Sequence, residues 1–267
     1  MSEAVVLTDV DARGVGTITI NRPSVNNAYN SEMIAALIDA VSSFADDTRV
    51  RVVAIRGNGK HFQAGADLGW VRGNRDKSWS ENLDISRQTT TAVQSLTTLP
   101  KPTIALVHGG CFGGGTGIAT ACDILIAAED AIFSITEARW GLMASPIYPQ
   151  LLSRLGPGRT RRYALTCERF DGHRALEIGL ADEVCPVADL DATAAPIIDA
   201  LLHCPPGALA ASKTSILKYC SLYYTAMEQD DMALPHATIR LQPEAEEGLA
   251  SFLEKREPNW YPGSADT

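Results

Sequence analysis

Positive charge is scarce in this chain. Lys and Arg number 23 against 32 Asp and Glu, which leaves a formal net charge of -9 and a pI near 5.0. Nucleic acid and anionic membranes both call for a basic surface, so neither is expected as a partner, and an anionic ligand would need a local basic patch. Long apolar runs are missing as well. None approaches the ~18 residues of a membrane-spanning helix, and the opening MSEAVVLTDVD lacks the basic and apolar stretches of a secretory signal. A soluble, cytoplasmic protein is the expectation. Cys111, Cys122, Cys167, Cys185, Cys204 and Cys220 form no C-x-x-C pair and have no histidine at ligand spacing. That argues against zinc and against a disulfide framework, leaving reduced, mostly buried thiols and no metal. The phosphate-cradling spacings G-x-x-x-x-G-K-[ST] and G-x-G-x-x-G are absent, and so is the G-x-S-x-G elbow of serine hydrolases. The five histidines therefore build no triad, and His108 reads as a hydrogen-bonded core residue.

What is present is ample apolar material, 45% of the residues, arranged in two periods. Residues 4–21 alternate like a hairpin around the turn Asp11 to Gly14. Ser31 is placed to cap a helix over 31–47, whose apolar positions 34, 37, 38, 41 and 44 share one face. Strands are predicted at 50–57, 101–110, 123–128 and 131–136, with a helix over 80–98 that ends before Leu99-Pro100. A helix follows over 171–180, opened by Asp171 and closed at Gly179, and then the short strand ADEVCPV. After Leu190 no strand pattern remains, only four helical segments divided by Pro196, Pro205-Pro206, Pro235 and Pro243. The pattern predicts an α/β core over 1–190 with a helical appendage over 191–267 that packs on a neighbour.

The richest stretch is VHGGCFGGGTG, residues 107–117, where six of eleven residues are glycine. Such a turn either lets two elements pack closely or brings backbone N–H groups up to a bound oxygen to stabilise negative charge. Glu137, at the end of the following buried stretch in SITE, is an expensive residue for that position. It must be solvated, paired with Arg139, or engaged in chemistry.

Five segments in order, NRPSVNNA, FQAGADL, the strand with its glycine cluster, ACDILIAAEDAIFSITE and EGLASFLEKREPNW, resemble the enoyl-CoA hydratase/isomerase (crotonase) superfamily over nearly the whole length. The resemblance implies a spiral of strand-strand-helix repeats with a C-terminal helical segment that assembles homotrimers or dimers of trimers. It implies an acyl-CoA substrate and no separate cofactor. It assigns the oxyanion-hole N–H groups to Ala66 and Gly114, and proton transfer to Glu137. Substrate and CoA contacts would come from Ala28, Ala64, Leu68 and Gly113 and, from a neighbouring subunit, Phe252 and Lys255. Asp67 belongs to the same stretch, with a mostly structural role. The family's two-glutamate hydratases carry a second acid at the position of Gly117, so this chain departs from them there, and the glycine is expected to enlarge the pocket.

The runs WGLMASPIYPQLL and RRYALTCERFDGHRALEIGLADEV are similar to a branch of that family, the hydratases of branched 3-alkylglutaconyl-CoA thioesters. The substrates implied are isohexenylglutaconyl-CoA of acyclic terpene degradation first and 3-methylglutaconyl-CoA of leucine degradation next. Two alternatives remain: a Δ3-Δ2 enoyl-CoA isomerase, which needs only one acid/base, and a non-catalytic CoA-thioester-binding subunit.

Overall fold

Asp11 closes the first hairpin, its Oδ1 accepting from the N–H groups of Arg13 and Val15, both at 2.8 Å, between β1 (Val6–Val10) and β2 (Val15–Ile20). The computed structural model describes residues 4–263. After the hairpin come α1 (Ser31–Asp46), β3 (Val52–Gly57), α2 (Leu68–Gly73), α3 (Trp79–Thr98), β4 (Thr103–Val107), β5 (Gly110–Phe112) and α4 (Gly114–Ala121). The chain continues through β6 (Ile124–Ala128), β7 (Ile132–Ser134), α5 (Tyr148–Thr166), β8 (Phe170–Asp171), α6 (Gly172–Ile178) and β9 (Glu183–Cys185). It ends in α7 (Leu190–His203), α8 (Pro206–Tyr219), α9 (Ala226–Arg240) and α10 (Pro243–Leu253).

Successive turns of this path lay one strand in each of two sheets. The larger sheet runs β1-β2-β3-β4-β6-β9, antiparallel only between β1 and β2, and the smaller runs β5-β7-β8. Thus β4-β5-α4 and β6-β7-α5 repeat one strand-strand-helix unit, a spiral built on parallel strands that are buried on both faces. The core runs through Ile18, Ile55, Ile104 and Leu125 on neighbouring strands, all at most 1% exposed.

Helix α1 buries Met33, Ile34, Leu37, Ala40, Val41 and Phe44, the apolar stripe its spacing predicts. Its cap is Asn30 rather than Ser31: the Asn30 side chain accepts from the Met33 N–H at 3.0 Å. Ser31 is already helical, which frees its hydroxyl to accept from the Trp70 indole N–H at 3.1 Å. Helix α3 starts in a capping box of Ser78 and Glu81. It buries Thr89, Thr90 and Thr97, whose hydroxyls donate to carbonyls four residues earlier and so cost little.

The C-terminal four helices are present, but Pro196 and Pro235 lie inside α7 and α9. A proline forfeits one backbone hydrogen bond, a cost that packing can offset. The boundary at residue 190 does not separate a core from an appendage. Leu190 and Ala194 of α7 belong to the main core, Ile197, Ile198, Leu201 and Leu202 pack against it, and α9 lies along α3 through Ala233 and Ala237. Only α8 stands off, with Leu217 its one buried residue and Ile216 and Tyr219 60% and 88% exposed. Among the described residues no single helix is long and apolar enough to cross a membrane. All six thiols are free, Cys204 and Cys220 exposed and the other four buried.

Candidate active site

The glycine cluster turns the chain from β5 into α4. Gly113 sits at φ 51°, ψ -121°, a conformation that penalises any side chain, and its N–H donates to the Ser134 carbonyl at 2.8 Å. This conformation also brings in Glu137: a Cβ on Gly113 would stand 2.6 Å from Glu137 Oε1, so only glycine admits the carboxyl here. The next residue, Gly114, opens α4, and a Cβ there would stand 2.5 Å from the Tyr29 ring. As the first residue of the helix it has an N–H with no intrahelical acceptor.

A second free donor comes from the loop after β3. The Tyr29 N–H donates to the Gly65 carbonyl and the Asp67 N–H to the Tyr29 carbonyl, both at 2.9 Å, in a one-residue parallel bridge between Tyr29 and Ala66. In such a bridge the middle N–H points away from the partner, which leaves that of Ala66 unpaired. Ala66, bridged to the Tyr29 backbone, and Gly114, against the Tyr29 ring, thus hold unpaired N–H groups. This is an arrangement able to stabilise a developing oxyanion.

Glu137 begins a single helical turn, Glu137–Trp140, after β7. The residue is partly exposed as a whole, yet its Oε2 is sealed from solvent and has no hydrogen-bond partner. Burial pushes the carboxyl up to about 7, against the pull of the Glu137 and Thr136 backbone N–H groups. Arg139 does not pair with it and instead lies over the Trp140 ring, 5.8 Å from its centroid. Burial, and then the charge of Glu137, raise the Tyr29 phenol well above its ordinary value.

A cavity of about 250 Å³ has Tyr29, Ala64, Ala66, Leu68, Gly113 and Glu137 in its lining, while Gly114 lines the slot beside it. This narrow apolar slot continues from the cavity between α1, α3 and α4, sharing Tyr29, Glu137 and His236 and lined by Met33, Leu37, Val93, Ile118 and Met143. Among the described residues Glu137 is the only carboxylate in either lining.

Several expected site residues are placed differently. Asp67 does not line the cavity. It caps α2, accepting from the Gly69 and Trp70 N–H groups at 3.1 and 3.2 Å, and its Oδ2 lies 3.3 Å from Arg22. Ala28 is buried behind the wall, its carbonyl held by Arg22 Nη1. Phe252 lines the cavity of its own chain, because α10 folds back on the Glu137–Trp140 turn and sets Phe252 edge-on to Trp140, centroids 4.5 Å apart. Lys255 stands outside it, in a groove with Arg139 and Arg256. His108 is hydrogen-bonded, Nε2 to the Gly59 carbonyl at 2.9 Å, but only half-buried.

Gly117 does not enlarge the pocket, because the room left by the missing side chain is filled by Ile147. A Cβ on Gly117 would lie 2.0 Å from Ile147 Cγ2. Gly117→Ala is therefore expected to destabilise the fold by ~1–3 kcal/mol through overpacking, and Ile147→Ala by ~2–4 kcal/mol through a cavity. Denaturant unfolding should show the double variant losing less than the sum by ~1 kcal/mol or more, and strict additivity would mean that the two residues do not share that space.

The sequence also left Trp70, His236 and Arg240 unassigned. Arg240, the last residue of α9, is 3% exposed, and its Nη2 lies 3.2 and 3.3 Å from the two ring nitrogens of His236. His236 Nδ1 is 3.0 Å from Ser86 Oγ. Burial, and then the neighbouring guanidinium, lower the imidazole well below its ordinary value, so the ring is neutral.

Residues 11–262 match the family model described as enoyl-CoA hydratase/isomerase. The chain is 28% identical to a putative enoyl-CoA hydratase of Thermus thermophilus, covering 95% of this chain and 100% of that one. It is 30% identical to the mitochondrial Delta(3,5)-Delta(2,4)-dienoyl-CoA isomerase of Dictyostelium discoideum, over 93% and 88% of the two chains. Among solved structures, an enoyl-CoA hydratase of Mycobacterium avium is similar at a TM-score of 0.86 and 31% identity, over 97% and 100% of the two chains. One from Shewanella pealeana has a TM-score of 0.78 and 34% identity over 96% of each.

Proposed function

Because this chain belongs to the enoyl-CoA hydratase/isomerase family, we propose that it hydrates the double bond of a branched 3-alkylglutaconyl-CoA, with isohexenylglutaconyl-CoA favoured and 3-methylglutaconyl-CoA next. The observation that carries the reading is the sealed carboxyl of Glu137 against Gly113, beside the unpaired N–H groups of Ala66 and Gly114. The thioester oxygen accepts from those two donors. Water adds its oxygen to Cβ and gives one proton to the Glu137 carboxylate, while the π electrons move to the thioester oxygen as an enolate held by the donors. The enolate collapses as Glu137 returns that proton to Cα, so H and OH from one water add to one face and the carboxylate is regenerated.

A two-acid hydratase would fix the water with a second carboxylate, and here Ile147 occupies its place. The substrate's own carboxylate, one methylene from Cβ, takes over that task. The apolar slot receives the 3-alkyl branch, and its flexible Met33 and Met143 turn aside for the longer isohexenyl chain. The CoA portion runs outward past Ala64 and Leu68 toward Phe252 and Lys255. Exposed Ile216, Tyr219 and Met227, on α8 and at the start of α9, provide the apolar surface for a homotrimer.

The test compares specificity constants for 3-methylglutaconyl-CoA and isohexenylglutaconyl-CoA with that for 3-methylcrotonyl-CoA, which lacks the second carboxylate. The acidic thioesters should be preferred by ~10–100-fold, the scale of one charged hydrogen bond. Equal constants remove the substrate-assistance reading. One observation favours a second reading: a single carboxylate suffices to carry a proton between Cγ and Cα of a 3-enoyl thioester, and among the described residues Glu137 is the one carboxylate lining the cavity. Isomerisation of 3-enoyl-CoA much faster than any hydration would make the enzyme a Δ3-Δ2 isomerase.

A further inference from the structure

Arg240 poses an electrostatic problem that the mechanism above does not use. It is 3% exposed, no carboxylate lies within ion-pair distance of it among the described residues, and its Nη1 is buried without a hydrogen-bond partner. Its Cζ lies 5.9 Å from the centre of the Trp70 ring. A guanidinium cannot shed its proton, so burying it with half of its fork unpaired costs several kcal/mol. If its role were only to hold α9 on α3, an apolar side chain of the same length would do so without that cost. The cation is nevertheless held in place: neutral His236, anchored on Ser86, offers a ring nitrogen to Nη2 and leaves Nη1 for something else.

Arg240, His236, Tyr29 and Glu137 line the same cavity. Tyr29 shares that lining with both, and its phenol feels the charges of Glu137 and of Arg240. A ligand that sets its reacting carbons beside Glu137 can therefore extend a negatively charged arm past Tyr29 to Arg240. CoA phosphates are a poor match for this anion, because the basic residues Arg139, Lys255 and Arg256 gather at the outer groove beyond Phe252, whereas Arg240 sits inside beside Trp70.

We propose that Arg240, oriented by His236, is the receptor for the free carboxylate of the acyl group and so makes the site selective for thioesters of dicarboxylic acids. The proposal rests on the 3-alkylglutaconyl reading and names the residue that enforces it. Arg240 holds one carboxylate oxygen with Nη1 and leaves the other to fix the attacking water. His236 is a positioning residue, acting through Arg240.

The experiment uses ligands that cannot react. Binding of glutaryl-CoA, its neutral methyl ester, valeryl-CoA and CoA itself is measured by calorimetry on the full chain and on Arg240→Met, Arg240→Gln and Arg240→Lys. Wild type should prefer glutaryl-CoA over its ester and over valeryl-CoA by ~10–100-fold, the range for a charge-assisted hydrogen bond. Met and Gln should abolish that preference while leaving valeryl-CoA and CoA within about threefold, and Lys should recover part of it. The comparison of acid with ester on wild type tests the charge requirement even where a variant does not fold. Equal binding of acid and ester by wild type, or an unchanged preference in Arg240→Met, overturns the receptor role even if turnover still favours acidic substrates. Conversely, a preference that depends on Arg240 in an enzyme that only isomerises leaves the receptor standing and removes the hydratase reading.

Discussion

Glu137→Gln should lower turnover by ~10²–10⁴-fold, the usual contribution of one general acid/base, while thioester binding stays within a few fold of wild type. Glutamine keeps the shape that fits against Gly113 and can still hydrogen-bond, but it cannot take a proton from water and return it to carbon. Steady-state hydration together with calorimetry of a saturated acyl-CoA separates the two effects. Turnover near wild type would remove Glu137 from the chemistry. The pH dependence follows with a definite sign. The carboxylate is the form that accepts the proton, and burial raises Glu137 to about 7, so kcat/KM of wild type should fall about tenfold per unit as pH drops below that value and level off above it. The same shift acts on the fold in the opposite sense to a salt-bridged acid. A carboxyl whose folded value lies above its ordinary 4.5 is disfavoured as it ionises, so its stability cost is absent below about 4.5 and complete above about 7. Glu137→Gln should therefore match wild type in stability near pH 4 and exceed it near pH 8, which is the signature of a group retained for chemistry rather than for folding.

Part of what positions this site is local in the sequence, which is why that part could be read there. The strands that carry the spiral are continuous apolar runs, the glycine cluster stands out by composition alone, and Asp67 acts on the backbone N–H groups two and three residues after it. The site elements that were not legible depend on contacts far apart along the chain. Gly117 reads as empty space until Ile147 is seen to fill it, 30 positions later, from a short turn that no periodicity announces. His236 and Arg240 are spaced four apart near a helix end, a pattern common on solvated helices. Only the packing of α9 along α3, with Ser86 beneath, turns them inward. Phe252 belongs to a C-terminal helix whose docking partner cannot be read from its own amphipathic pattern. The fold settles it on the Glu137–Trp140 turn of the same chain, where Gly248 meets the Trp140 backbone with no room for a Cβ.

Gly114→Pro should cost a further ~10²–10³-fold in kcat relative to Gly114→Ala, the scale of one lost oxyanion donor. The comparison has to be made against alanine. Any residue larger than glycine places a Cβ 2.5 Å from the Tyr29 ring, so both variants displace Tyr29, and activity lost to that displacement is common to the two. Only proline also removes the N–H. As the first residue of α4, position 114 suits proline's fixed backbone angle, and its N–H has no helical partner to lose, so the helix itself should tolerate the change. The loss should be selective for the reaction. A saturated acyl-CoA, whose neutral carbonyl gains less from the donor than an enolate oxygen does, should bind the two variants with affinities within about tenfold. Equal kcat for the proline and alanine variants, both folded by circular dichroism, would show that the Gly114 N–H does not face the developing oxyanion. The oxygen would then rest on the Ala66 N–H and on whatever Tyr29 presents beside it.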